Sequence, residues 1–291
     1  MTVLSQVEID RFWTDGAVTV ENAVTPDQLA ALRHEFGAWV EESRAHDVAY
    51  GKALDGRPRF DVQPGHSADQ PALRRVQAPT EISEAYFQIM SDSRMTDMVA
   101  DLVGPDVKHH HNKINSKLPG AATEVKWHQD FPFTPHTNTD LVTALLMIDE
   151  VTDENGPLEI APGSHRGPLH SLWHDGRFTG AVADDTAAEM QDRAVRCTGP
   201  AGSVCLMHTC LAHGSAPNLS DAPRALFIAV YSAADAMPCC PNPVPNRHEG
   251  LIVRGVDPHS VRATSYSVRI PEFPRGASFF TQQSDAERGA L

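Results

Sequence analysis

HTCLAHGSAPNLSDAPRALFIAVYS, residues 208–232, holds two strand-length apolar runs divided by a polar, proline-bounded stretch. The divider, NLSDAP, reads as a turn, because Asn, Ser and Asp side chains hydrogen-bond their own backbone and Pro fixes φ. His213 ends the first run and Arg224 opens the second. If the runs pair as a hairpin about Asn218 and Leu219, these two residues stand roughly opposite each other and face one cavity. His208, at the end of the preceding apolar run, is the rival for that place.

The same punctuation extends outward. VKHHHNKINSKL (107–118), LVTALLMIDEV (141–151), GPLEIAPGSH (156–165) and GSVCLMHT (202–209) are each strand-length and bounded by Gly, Pro, Asn or Asp, the pattern of an all-β sandwich or barrel. The opening third reads as helical with one short strand. Thr25-Pro26 marks a helix start, and Leu29, Leu32, Phe36, Trp39 and Val40 follow at spacings that line one face, giving a helix from 26 to about 45. A second amphipathic stretch covers about 82–103 and ends at Gly104-Pro105. Residues 46–72, rich in Gly, Pro, Asp and Arg, read as a surface loop able to act as a lid, and 238–260 as a second covering segment. The expected layout is a single domain over 1–291: a helical part to about 105, a β core over about 106–236 and a C-terminal cover over about 237–291.

Composition narrows the partners. The net charge is −14, from 24 Lys and Arg against 38 Asp and Glu. Nonspecific binding to nucleic acid or to an anionic membrane needs a basic footprint, so the expected partner is a small-molecule substrate, with no nucleic acid and no membrane. No run approaches the ~20 apolar residues of a spanning helix, and MTVLSQVEIDRFW carries neither the basic start nor the apolar stretch of a secretory signal. RGAL at the other end matches no lipidation or peroxisomal signal, and the reading is cytoplasmic. Five cysteines with no C-x-x-C pair argue against a disulfide framework or a structural zinc site. Oligomeric state leaves no trace in the sequence.

The chemistry starts at KWHQDFPF, residues 126–133. On a strand, positions i and i+2 project to one face, so His128 and Asp130 can grip one ion. Such a pair arises by chance in a chain with 15 His and 38 acidic residues. It gains weight from the downstream block: two histidines and one carboxylate on one side of a metal, with the other positions open, suit a non-haem Fe(II) oxygenase. An arginine nearby suits a carboxylate-bearing cosubstrate, because its planar fork holds a carboxylate through two charge-assisted bonds.

With these residues in place, the chain resembles the phytanoyl-CoA hydroxylase family of Fe(II)- and 2-oxoglutarate-dependent oxygenases, which includes ectoine hydroxylases. The matching elements are DGAVTVENAVTPDQL, INSKLPG, WHQDFPF, LVTALLMIDEVTDENGPLEIAPGSHRG and GSVCLMHTCLAHGSAPNLSDAPRALFIAVYSAAD, in order over about residues 10–236. The resemblance implies a mainly β fold, a double-stranded β-helix (jelly roll, cupin-like) with helices outside it. It implies His128, Asp130 and His213 as Fe(II) ligands, Arg224 as anchor of the far carboxylate of 2-oxoglutarate, and Ser215 as the hydroxyl assisting it. Lys113 falls where the family lines the cosubstrate pocket, and Leu146 stands where some relatives carry a tryptophan near 2-oxoglutarate. The implied reaction uses O2 and 2-oxoglutarate, releases succinate and CO2, and hydroxylates an unactivated C–H bond of a small-molecule metabolite. The presence of Asp130 disfavours the halogenating variants, which give up that carboxylate.

Two other readings share the metal. One is a non-catalytic, metal-binding cupin-like sensor or binding protein in which Arg224 takes another anion; the other is a zinc isomerase or hydrolase, which has no need of a dicarboxylate anchor. Other residues carry ordinary readings too. His109 and His111 share a strand face with His111 near the cosubstrate, or the histidine triplet is a plain strand segment. Lys126 faces the pocket or the rim. Gly163, Ser164 and His165 form a structural turn, and Phe131, Phe133 and Trp173 are packing residues by default.

Overall fold

The computed structural model describes residues 2–120 and 124–272. The part of the expected C-terminal cover from residue 273 onward lies outside the described residues. Chain entry is set by capping. Ser5 starts α1 (Gln6–Asp15), its side chain accepting from the Glu8 N–H while Glu8 accepts from the Ser5 N–H at 2.7 Å, and Gly16 closes the helix in a left-handed conformation. After β1 (Ala17–Val20), Thr25 and Gln28 form the same reciprocal box at the head of α2 (Pro26–Ser43), where the sequence placed a helix.

The opening third supplies three strands rather than one. Residues 46–72 contain β2 (Phe60–Val62), which pairs with β3 (Leu73–Gln77), and β3 in turn joins it to the main sheet. The alternation that makes β2 a strand is only three residues long and is masked by flanking Gly and Pro. The amphipathic stretch 82–103 also divides, into α3 (Glu84–Ser91) and α4 (Arg94–Val103). The break is held open at both sides: the Thr96 hydroxyl accepts the Ser93 N–H, and Arg254 donates to the Ser91 and Ser93 carbonyls at 2.9 and 3.0 Å.

Then follow β4 (Val107–Lys117), β5 (Val125–His128), β6 (Leu141–Met147), β7 (Leu158–Ile160), a ribbon of β8 (Trp173–His174) and β9 (Arg177–Phe178), and α5 (Asp184–Asp192). The chain continues through β10 (Val195–Cys197), β11 (Val204–His208), β12 (His213–Ser215), β13 (Arg224–Ala233) and β14 (Ile252–Arg254). The larger antiparallel sheet runs β1-β11-β6-β13-β4-β3-β2, with β14 also on β4; the smaller runs β10-β7-β12-β5. Alternation along the strands decides which face each side chain joins. Val142, Ala144 and Leu146 of β6 and Phe227 and Tyr231 of β13 pack with the helices, where Tyr86 and Tyr231 donate their hydroxyls to Leu32 and Met90 carbonyls. Leu145 and Met147 of β6 and Leu226 and Ile228 of β13 pack instead with Leu158, Ile160 and Cys197 of the smaller sheet. Two sheets meeting through a shared apolar interior, with helices outside the larger one, form the double-stranded β-helix.

Three sequence expectations change on this frame. The runs around NLSDAP are not a hairpin: β12 sits between β5 and β7 in the smaller sheet, while β13 sits between β4 and β6 in the larger. Both edges of each strand are taken, so 216–223 crosses from one sheet to the other. Asn218 still makes the turn, donating to the Lys117 and Ala222 carbonyls. Leu146 lies on the helix side of β6, so the cavity wall is Leu145. In the histidine triplet, Val230 pairs with His111 and Tyr231 with His109, which makes His110 a bulge residue. A bulge reverses the alternation. His109 therefore meets Tyr231 and Asn112 on the helix side, and only His111 faces inward.

Candidate metal and cosubstrate site

The interior between the sheets is open around His128, Asp130 and His213, whose donor atoms all lie within 4.8 Å of one another. The two histidines are brought together by strand register, as His213 of β12 pairs with His128 of β5. Asp130 arrives differently from the expected i, i+2 placement. β5 ends at His128, and Asp130 has already turned to helical dihedrals at the start of the single 3-10 turn Phe131–Phe133. The turn is pinned by Phe131 N–H on the Thr209 carbonyl and by Gln129 Nε2 on the Cys210 carbonyl at 2.7 Å. It swings Asp130 Oδ1 to 3.6 Å from Nε2 of both His128 and His213.

The donor set fits a divalent metal in its tautomers as well as its spacing. His128 Nδ1 lies 2.7 Å from the Lys126 carbonyl and His213 Nδ1 2.9 Å from the Leu211 carbonyl. A carbonyl only accepts, so each Nδ1 carries the proton and each Nε2 presents a lone pair inward. Burial, then the neighbouring His128, lowers His213 to about 4, which keeps its imidazole neutral and able to ligate at neutral pH. Burial pushes the Asp130 carboxyl up, but His213, His128 and Lys113 together hold it well below the usual carboxylate range. The Thr143 hydroxyl donates to Asp130 Oδ2 at 2.8 Å, leaving Oδ1 turned to the histidines. Such orienting bonds are worth about 10–100-fold in metal affinity. Thr143→Val is expected to weaken Fe(II) binding by that order while keeping the fold, measured by competition with a metal-binding dye.

The same cavity continues to Arg224, Ser215, Lys117, Asn115 and Lys113. Arg224 is buried and opens β13 opposite Lys117 of β4. Its Nη2 donates to the Gly156 carbonyl and its Nε to the Asn155 carbonyl at 3.4 Å. Gly156 has φ +78°, and a Cβ there would meet the Ala216 carbonyl and Lys117 Cδ at 2.8 Å each, so the cradle requires glycine. Lys117 Nζ donates to the Ser215 and Ala216 carbonyls. Burial leads each shift here: Arg224 falls to about 10, Lys117 to about 6 with Arg224 beside it, and Lys113 to about 8 with Arg75 beside it. Arg224 keeps its charge at neutral pH with little water to screen it, which readies this end of the cavity for an anion.

Beyond the triad lies a second lobe, lined by Arg57, Arg75, His111, Phe133, Thr209 and Val244 among others. Arg75, Lys113, His128, Asp130 and Thr143 line both lobes, so the donors stand at the junction. Residue 57, from the segment expected as a lid, and Pro243 and Val244, from the expected cover, form part of this wall, and Arg57 donates to the Pro243 carbonyl at 2.7 Å.

All six predicted site residues thus line one cavity. His208 does not: it lies on β11 against Phe12, Trp13 and His165, and its Nδ1 accepts the Cys210 N–H. Lys126 lines a separate cleft with Glu124 and His174 and lends the site only its carbonyl. Of the aromatics, Phe133 reaches the second lobe, edge-on to His128, while Phe131 packs against Leu141 and Trp173 lies under Arg269. Ser164 supports the site at a distance, its hydroxyl accepting the Ala212 N–H just before His213. Sequence reasoning missed Thr143, Lys117, Asn115, Arg57 and Arg75. Thr143 left a trace as the one polar residue inside LVTALLM, and Asn115 and Lys117 as alternate positions after Lys113.

Comparison with known proteins gives the family. Residues 12–226 match the family model of phytanoyl-CoA dioxygenase, a span that contains every candidate donor and Arg224. The chain belongs to the phytanoyl-CoA dioxygenase family. Among curated relatives in and around this family, a protein of Stutzerimonas stutzeri described as "Probable alpha-ketoglutarate-dependent hypophosphite dioxygenase" is 34% identical over 71% of this chain and 73% of its own. The L-proline trans-4-hydroxylase of Streptomyces griseoviridis is 28% identical over 66% of this chain and 77% of its own. Among solved structures, EctD from S. alaskensis with bound Fe superposes with a TM-score of 0.65 at 24% identity, covering 90% of this chain and 87% of EctD. That likeness shows a shared fold.

Proposed function

We propose that this phytanoyl-CoA dioxygenase family member is an Fe(II)- and 2-oxoglutarate-dependent dioxygenase that hydroxylates an unactivated C–H bond of a small-molecule metabolite, with O2 consumed and succinate and CO2 released. The observation that carries the reading is one cavity holding a facial His-Asp-His set at its waist and a buried Arg224 at one end. His128, Asp130 and His213 are assigned as iron ligands, and Arg224 with Ser215 and Lys113 as the 2-oxoglutarate contacts. When bound, the iron would supply the reducing centre at which dioxygen is activated.

This chain's residues do the rest. Arg224 takes the far carboxylate of 2-oxoglutarate through its fork, so binding energy remote from the reacting atoms fixes where the keto acid end lies. Lys113, at the junction, balances anionic charge beside Asp130. Leu145, Leu158, Met207 and Leu226 around the inner lobe exclude water from the bound cosubstrate. Relatives named for hypophosphite, proline and ectoine support a small substrate.

No helix among the described residues is long and apolar enough to cross a membrane. A cytoplasmic location, no affinity for nucleic acid, and one domain whose first and middle thirds share a sheet complete the reading. The test is succinate formation on incubation with Fe(II), 2-oxoglutarate and O2. Slow release, accelerated by an added substrate, is expected. Tight metal binding with no 2-oxoglutarate binding would instead favour a metal-binding sensor.

A further inference from the structure

We infer that His111 determines specificity in the second lobe: it offers that lobe a ring N–H fixed on Nε2, so the molecule oxidised there is a small one that presents an acceptor oxygen to it. The inference rests on the dioxygenase reading, since it names the substrate class of that same site.

The backbone builds the donor. In a regular strand neighbouring side chains point to opposite faces, so two adjacent rings cannot pair. The bulge in β4 changes this, setting His110 as an extra residue beside His111 against Val230 of β13. The two rings come to lie with their centroids 4.9 Å apart and their Nδ1 atoms 2.7 Å apart. The bulge is held in place by the C-terminal cover: Asn242 and Asn246 each donate a side-chain amide to the His110 carbonyl at 3.0 Å. Between these two asparagines stand Pro243 and Val244, which wall the lobe. One stretch of chain thus shapes the recess and fixes the histidine pair beside it.

The proton positions follow from burial. Loss of water, above all, holds both rings well below the ordinary histidine range, so at neutral pH each is neutral and carries a single N–H. Of the two Nδ1 atoms, one donates and the other accepts. His110 Nε2 is buried and without a partner among the described residues. A proton there would be a buried N–H with nothing to receive it, which folded proteins rarely leave, whereas a bare nitrogen is tolerated more readily. His136 does not receive it. Its ring centroid lies 4.8 Å from that of His110, but its own Nε2 also has no partner, so no hydrogen bond joins the two rings. His136 is itself protonated on Nδ1, 2.8 Å from the Thr134 carbonyl, and leaves a bare Nε2. His110 therefore donates from Nδ1 to His111 Nδ1, and the one proton of His111 sits on Nε2. Among the described residues this Nε2 has no hydrogen-bond partner, and the ring lines the second lobe but not the inner one.

The remaining lining leaves the polarity to His111. Thr134 and Thr209 are buried in the same wall with unpartnered hydroxyls, which can donate or accept alike. Arg57 is held by Asp55 at 2.6 Å and Lys113 stands beside Asp130, so the acceptor oxygen need not be anionic. Phe133, Ile228 and Val230 join Pro243 and Val244 in an apolar surface for a short hydrocarbon part.

The test uses full-length protein labelled with 15N-histidine, loaded with Zn(II) as a diamagnetic stand-in for Fe(II) and saturated with 2-oxoglutarate. Two-bond 1H–15N correlations at neutral pH, assigned with His111→Phe and His110→Phe, read the tautomers directly. The expected result is a proton on Nε2 of His111 and on Nδ1 of His110. The same sample is then titrated with cyclopentanone and with pyrrole, five-membered rings of which the first only accepts a hydrogen bond and the second has only its N–H to donate. Cyclopentanone is expected to bind at least ten-fold more tightly and to shift the His111 Nε2–H signal. In His111→Phe the preference should fall to within about threefold. His111→Gln, whose amide can turn either its N–H or its oxygen to the lobe, should flatten it likewise, and serves in its place if the phenylalanine variant does not fold.

The inference is overturned if His111 carries its proton on Nδ1, if pyrrole binds as well as cyclopentanone, if neither binds, or if the preference persists in the His111 variants. Failure of 2-oxoglutarate to bind the Fe(II)-loaded protein would instead sink the dioxygenase reading, and the histidine signals and the probe preference would still read the lobe.

Discussion

Asp130→Ala is expected to reduce substrate-linked succinate formation by at least about 10³-fold and to strip the protein of tightly bound iron, with an unchanged circular dichroism spectrum. Removing a group that only orients a ligand costs about 10–100-fold in metal affinity or activity, so removing the ligand itself costs more. Asp130 is the one carboxylate donor in the set, and the other two donors are imidazoles, which bring no negative charge. The fold does not depend on it. Its side chain is 26% exposed toward the cavity, it lies outside β5, and the Thr143 hydroxyl that donates to it sits on a strand that keeps its backbone pairing without that bond. The turn that carries it is held by backbone bonds and by Gln129, which alanine does not disturb. Iron content and succinate release, measured on the same preparation, check the expectation together. Turnover at the wild-type rate in Asp130→Ala would sink the assignment of all three ligands, because the histidines are placed by their relation to it.

The parts of this site written in local sequence were legible, and the parts made by long-range geometry were not. His128 and His213 could be read as partners because strand alternation and the turn at NLSDAP put polar groups at predictable positions on apolar runs. Yet the hairpin that set His213 opposite Arg224 is absent: β12 pairs with β5, and β13 pairs with β4 and β6. The conclusion survived because in a two-sheet sandwich an inward residue on either sheet meets the same cavity. Leu146 shows the opposite outcome. A shift of one position along a strand moves a side chain to the other face, and Leu145 is the residue that lines the pocket. His110 is a further case, since a bulge leaves no mark in composition yet separates His109 from His111. Arg57 and Arg75 were out of reach for another reason. Arg57 comes from the stretch with loop-like composition and Arg75 from the short strand just after it, and only the pairing of β2, β3 and β4 brings Arg75 to the junction of the two lobes.

Arg224→Gln is expected to raise the dissociation constant for 2-oxoglutarate by roughly 30-fold to more than 10³-fold, since truncating one partner of a buried, hydrogen-bonded charge pair costs about 2–5 kcal/mol. Burial strengthens the effect by denying the cosubstrate carboxylate any compensating water. Lys117 is the nearest alternative cation, but its Nζ is spent on the Ser215 and Ala216 carbonyls and burial lowers it to about 6, so at neutral pH it does not replace the lost charge. Arg224→Lys should fall between the two, keeping the charge and losing the fork. The signature that separates this position from Asp130 is kinetic. Arg224 acts on binding of the cosubstrate and not on the iron, so the variant should retain wild-type iron content. Much of its turnover should return as 2-oxoglutarate is raised, whereas no concentration rescues Asp130→Ala. Steady-state succinate release against 2-oxoglutarate concentration, with iron content measured alongside, reads both quantities. A KM for 2-oxoglutarate unchanged in Arg224→Gln would show that the dicarboxylate is anchored elsewhere, and the inner lobe would lose its assigned role.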